Sequence, residues 1–108
     1  MNPIFENALD GFFTSFISTR SKFNTHEFII SFAHAHQAEY VNELHVKTQT
    51  GSNVPFNLVH ADIGRYLKKL AFNAQFVEPL DLDRSEKISE DIFGNLQQAN
   101  CYQRSLSV

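Results

Sequence analysis

Apolar residues recur every three or four positions near the start of the chain. Ile4, Phe5, Ala8, Leu9, Phe12, Phe13, Phe16 and Ile17 form one broad stripe, the spacing of a helix that hides one face. Asn2 can cap this helix, and Pro3 suits its first turn, where no amide hydrogen is needed. Gly11 softens the middle. Residues 2–18 are therefore read as one amphipathic helix. Residues 19–23 hold Ser, Arg and Lys without a period and read as a connection.

A second start signal is Asn24-Thr25-His26-Glu27, in which Asn24 can cap and Glu27 sits where a capping box needs it. Phe28, Ile29, Phe32 and Ala33 make one stripe and Tyr40, Val41 and Leu44 another. The two phases do not join across residues 34–37, so two helices meeting near His36 are expected, the second over about 37–46. Residues 48–53 are polar, contain Gly51, and read as a loop. After Pro55, Asn57 can cap a helix in which Val59, Ile63, Tyr66 and Leu70 recur at steps of four, three and four. Gly64 within it suggests a close approach by another helix.

Beyond Asn73 the helical pattern stops. Residues 76–83 alternate in part and include Pro79, which a helix interior would not tolerate. Further extended segments are expected over 87–93 and 100–108, with a turn at Gly94-Asn95, although 90–98 also fits a helix. The expected fold is mostly α, three to four helices followed by a small C-terminal β hairpin.

Composition adds limits. One core suits 108 residues, and 43% hydrophobic with 19% charged residues is a folding composition. Eleven Phe and no Trp supply large rings for that core or for a subunit interface. Cys101 is the only cysteine, and no charged-then-apolar leader pattern opens the chain, which points to the reducing cytoplasm. No apolar run nears the roughly 20 residues that span a bilayer, so no membrane association is expected. A net charge of −3 gives no global attraction to polyanions, so any nucleic-acid contact must be local.

The local candidate is the helix from Asn57. Asn57, Arg65, Lys68 and Lys69 fall opposite its apolar stripe and form a small basic, amide-bearing face. Arg and Asn can read base edges, and Lys neutralises phosphate. The plainer account is that cations near a helix C-terminus complement its dipole and keep a surface solvated. Between residues 78 and 91, six carboxylates stand against Arg84 and Lys87, a local charge of −4 that would repel phosphate or suit a basic protein partner.

The run from Val59 to Leu70, with the Gly94-Asn95 turn before Tyr102 and Arg104, resembles winged helix-turn-helix domains in architecture over residues 24–104. That resemblance implies double-stranded DNA as a partner, the basic helix in the major groove, and the hairpin, with Arg104, as a wing against the backbone. It also divides the chain into a winged-helix-like core over 24–108 and an N-terminal arm over 1–23. The arm's Phe5, Leu9, Phe12 and Phe16 exceed what a terminal helix needs to cover a small core, so a homodimer through them is expected. The alternative is a protein-interaction or dimeric adaptor module that never touches nucleic acid.

Chemistry finds little footing. His34 and His36 are two apart and point to different faces of a helix, and a lone Cys offers no zinc-type pair, so no metal is expected. Asp81, Asp83 and Glu86 lack the Gly and the terminal Glu of a calcium loop. The four Gly are dispersed and make no phosphate cradle. Neither a cofactor nor an enzymatic activity is expected.

Overall fold

The computed structural model describes residues 2–73 and 76–105. Four helices precede most of the sheet: α1 (Pro3–Thr19), α2 (Thr25–Ala35), α3 (Gln37–Gln49) and α4 (Pro55–Phe72). The first two begin as their sequences dictate. The Asn2 side chain accepts from the Ile4 amide at 2.8 Å, and Asn24 and Glu27 close a reciprocal capping box. α2 and α3 meet at His36, whose dihedrals are non-helical. α3 continues to Gln49, beyond the expected end near residue 46. α4 starts earlier than expected: Val54 is its N-cap and Pro55 its first residue, so Asn57 lies inside the first turn instead of capping it.

The strands are β1 (Lys22–Asn24), β2 (Val77–Leu80), β3 (Ile88–Glu90), β4 (Leu96–Gln98) and β5 (Cys101–Arg104). β5 is central in an antiparallel sheet of order β1-β5-β2, and β3 pairs with β4 in a separate hairpin. Phe23 pairs with Tyr102, and Pro79 pairs with Tyr102 from the other side. β1 falls in the segment read as a connection. Its single apolar residue, Phe23, is too little for a period to show. A hairpin forms over 88–98 rather than the alternative helix, with Gly94 at φ +81° in its turn. The last three positions of the expected final strand, 106–108, lie outside the described residues.

One core gathers the helices and the sheet. Phe5, Leu9, Phe13 and Phe16 of α1 meet Phe28 and Phe32 of α2, Val59, Ile63 and Leu67 of α4, and Phe23, Val77 and Tyr102 of the sheet. Phe16 meets Phe23 and Phe28 edge-on, at centroid separations of 5.1 and 5.3 Å, a favoured aromatic geometry. α1 is thus a wall of the core and not a separable arm. Phe5, Leu9 and Phe16, assigned above to a subunit interface, are buried inside the chain, and Phe12 is half-buried against the same rings. A helical stripe records that a face is covered, not by what. No helix among the described residues is long and apolar enough to cross a membrane.

Candidate functional site

The hairpin of β3 and β4 folds back onto α2 and α4. His26 Nδ1 and Ser89 Oγ share a hydrogen bond of 2.6 Å. The Thr25 amide donates to the Asn100 carbonyl at 3.0 Å. Phe93 at the hairpin turn meets Phe56 edge-on at 5.0 Å and lies beside His60. The turn is braced from within, because Asp91 Oδ1 accepts from the amides of Phe93 and Asn95 at 2.9 and 3.0 Å.

Between the docked hairpin and α4 runs a groove. One cavity there, of about 540 Å³, is lined by Thr25, His26, Asn57, His60 and Asp91, by the amide side chains of Asn95, Gln97 and Gln98, and by apolar Ile29, Ile92 and Phe93. An adjoining cavity, which has Thr25, His26, Ala61 and Gln98 in common with it, is lined also by Gly64, Arg65, Lys68 and Asn100. A third cavity, which has Lys68 and Asn100 in common with the second, is lined by Lys87 and by apolar Ala71, Phe72 and Leu80. Gly64 does not admit another helix, since a Cβ built there would meet nothing within 4 Å. It keeps the groove floor low. Asn57 and Lys68 are eleven residues apart, so the polar wall extends about 16 Å along the helix axis.

The four residues of the expected basic face are all exposed, but they do not form one patch. Asn57, Arg65 and Lys68 line the groove, while Lys69 lies round the helix in a depression with Glu6, Asp62 and Tyr66 that Arg65 also lines, so Arg65 borders both and Lys69 shares no lining with Asn57 or Lys68. Arg65 is also engaged: its guanidinium pairs with Asp62, which Lys47 meets at 2.9 Å. Burial works to raise the Asp62 carboxyl, but the hydrogen bonds and charges of Lys47 and Arg65 outweigh it, and its pKa lies below the ordinary value. Arg104 is removed from the site, since its guanidinium donates to the Ile17 carbonyl near the end of α1 at 3.0 Å.

The acidic run over 78–91 is largely occupied with local structure. Glu78 accepts from Gln103 Nε2 at 2.6 Å, Glu86 accepts from the Asp83 amide at 3.3 Å, and Asp91 holds the turn. Glu90 neighbours Ser89 on one strand, so it projects from the face away from α2. The cations lining these cavities are Arg65, already paired with Asp62, and Lys68 and Lys87, which have no ion-pair partner among the described residues; the carboxylate among the lining residues is Asp91.

Several groove residues escaped the sequence. Thr25 and His26 of α2, His60 of α4, Gln97 and Gln98 of β4, and Lys87 at the end of a short 3-10 turn (Arg84–Lys87) are brought together by tertiary contact alone. His60 was the most accessible to inference, because Phe56 and His60 are four apart on α4 and share a face. Its pKa is lowered, first by burial and further by His26, while Asp91 pulls the other way. Among the described residues, no group of three or more His, Cys, Asp or Glu could hold a metal ion. Set against protein-family models, curated proteins and solved structures, the chain matches none.

Proposed function

We propose that this protein binds nucleic acid in the groove between α4 and the β3–β4 hairpin, in the style of a winged helix-turn-helix whose reading helix is α4. The observation that carries the proposal is the pair of cations Lys68 and Lys87, without an ion-pair partner among the described residues, with Arg65, held by Asp62, beside them and Asp91 as the carboxylate in the lining, in a chain whose net charge is −3. Phosphates would meet the three cations, and Asn57, Gln97 and Gln98 offer the paired donor and acceptor groups suited to base edges. Arg104 has no part in it, and Lys69 at most a peripheral one.

The test is fluorescence anisotropy with a random-sequence duplex at low and moderate salt, on the wild type and on an Arg65→Ala, Lys68→Ala, Lys87→Ala variant. Binding should weaken steeply with salt, and the variant should flatten the log–log slope by about three units if each cation meets one phosphate. Absence of wild-type binding at low salt would refute the proposal.

A second reading, a protein-interaction or homodimeric module, is favoured by uncovered apolar side chains: Phe72 is 90% exposed, Leu96 71% and Ile4 69%. A homodimer of this kind would use those outward residues and not the buried face of α1. Sedimentation of the wild type against a Phe72→Ser, Leu96→Ser variant separates the two. A monomer at high micromolar concentration would exclude the dimer.

A further inference from the structure

The third of these cavities has a chemistry distinct from the other two. Ala71 and Phe72 at the end of α4, Pro79 and Leu80 at the end of β2, and Cys101 and Tyr102 of β5 enclose a recess of about 290 Å³. Its polar lining consists of Lys68, Lys87 and Asn100, and no carboxylate lines it among the described residues. Neither lysine has an ion-pair partner among the described residues. Lys87 is half-buried, and its backbone is fixed by the Ala99 amide, which donates to its carbonyl at 2.9 Å. Its charge reaches the Cys101 thiol, which burial pushes up and Lys87 draws back down against the smaller opposing influence of Glu27 and Glu86. Phe72, almost wholly uncovered, stands at the open rim of the recess.

We infer that this recess is a binding site for a small hydrophobic monocarboxylate, an acyl or aryl acid of about ten heavy atoms. Two features select that occupant. The volume lies at the lower edge of small-molecule sites, about 300–1,000 Å³, which suits a short acyl or single-ring body and not a folded segment. The two lysines call for negative charge at one end of the ligand while the other walls call for hydrocarbon, and a carboxylate head on an apolar body satisfies both. The inference does not depend on nucleic-acid binding, although Lys68 and Lys87 serve both sites.

The probe is octanoate, titrated into the ¹⁵N-labelled chain without nucleic acid, with octan-1-ol as the uncharged control. Amide shifts should saturate and cluster over residues 68–72, 80, 87 and 100–102, with octanol at least about tenfold weaker, as loss of a charge-assisted pair implies. Lys68→Gln with Lys87→Gln should bring octanoate down to the octanol level. Phe72→Ser, at a surface position that leaves the core untouched, should weaken both ligands. Equal affinity for octanol, shifts centred elsewhere, or no saturation up to ~5 mM, a concentration that would detect even millimolar binding, would each overturn the inference.

Discussion

The Tyr40 hydroxyl and the His60 ring nitrogen Nε2 lie 2.6 Å apart, with their rings stacked, and join α3 to the helix that floors the groove. Burial favours the neutral form of each partner. Tyr40 is pushed up to about 12, and His60 is lowered from its usual 6.5. Unfolding lets His60 take a proton more readily, so its contribution to stability is complete above about pH 6.5 and declines as pH falls below that value. Unfolding lets Tyr40 lose a proton more readily, so its contribution is complete below about pH 10 and declines above it. Urea melts against pH should therefore show a plateau that begins near pH 6.5 and ends from about pH 9, where the contribution of the raised Cys101 thiol starts to fall before that of Tyr40. His60→Gln should flatten the decline that sets in as pH falls below about 6.5. Tyr40→Phe should lessen the alkaline arm without abolishing it, because burial and Asp10 also raise Tyr66.

Asp62 holds Lys47 and Arg65 together, and its side chain is 14% exposed beside a Lys47 side chain that is 21% exposed. Asp62→Asn should cost about 1–3 kcal/mol, because it leaves a largely buried ammonium without its counter-charge. The same change releases Arg65 towards the groove, so duplex affinity at low salt should rise even as stability falls. Calorimetric melting and anisotropy on one sample would measure both, and a parallel fall in affinity would place Arg65 outside the contact surface.

Phe16 is 6% exposed and wedged edge-on between Phe23 and Phe28. Phe16→Ala should cost about 3–5 kcal/mol, as expected for removing a ring from a packed core. Phe12→Asp combined with Phe16→Asp should unfold the chain instead of turning a dimer into a folded monomer. Circular dichroism beside sedimentation would separate these outcomes.

Asn24 sits at the junction of β1 and α2, accepting from the Glu27 amide at 2.8 Å while its own amide donates to Glu27 at 3.0 Å. Asn24→Ala should cost about 1 kcal/mol, read as a lowered urea midpoint with an unchanged slope.

Local chemistry was legible where the signal lies within a few residues. Asn2-Pro3, the Asn24 and Glu27 box, the phase break at His36 and the Gly94-Asn95 turn each depend on neighbours in the chain, and each is found in the fold. The α4 stripe was legible too, with Val59, Ile63 and Tyr66 buried and Leu70 half-buried. What stayed hidden is long-range. Arg104 reaches a carbonyl 87 residues away, and nothing in its surroundings distinguishes that from a free wing cation. Gly64 looked like room for a helix and is room for solvent or a ligand. Glu43 is 1% exposed with neither carboxylate oxygen hydrogen-bonded among the described residues. Its place in a polar stretch of α3 gave no hint of burial.

The position of β5 also has a consequence for folding during synthesis. β1 and β2 do not pair with each other. Both find their partner in Cys101–Arg104, the last strand of the described chain to leave the ribosome. The helices can gather their Phe side chains early, but β1 and β2 remain open edges until residue 104 emerges. A nascent chain halted before residue 101 would carry a collapsed helical cluster with two exposed strands, a state prone to pairing with other chains.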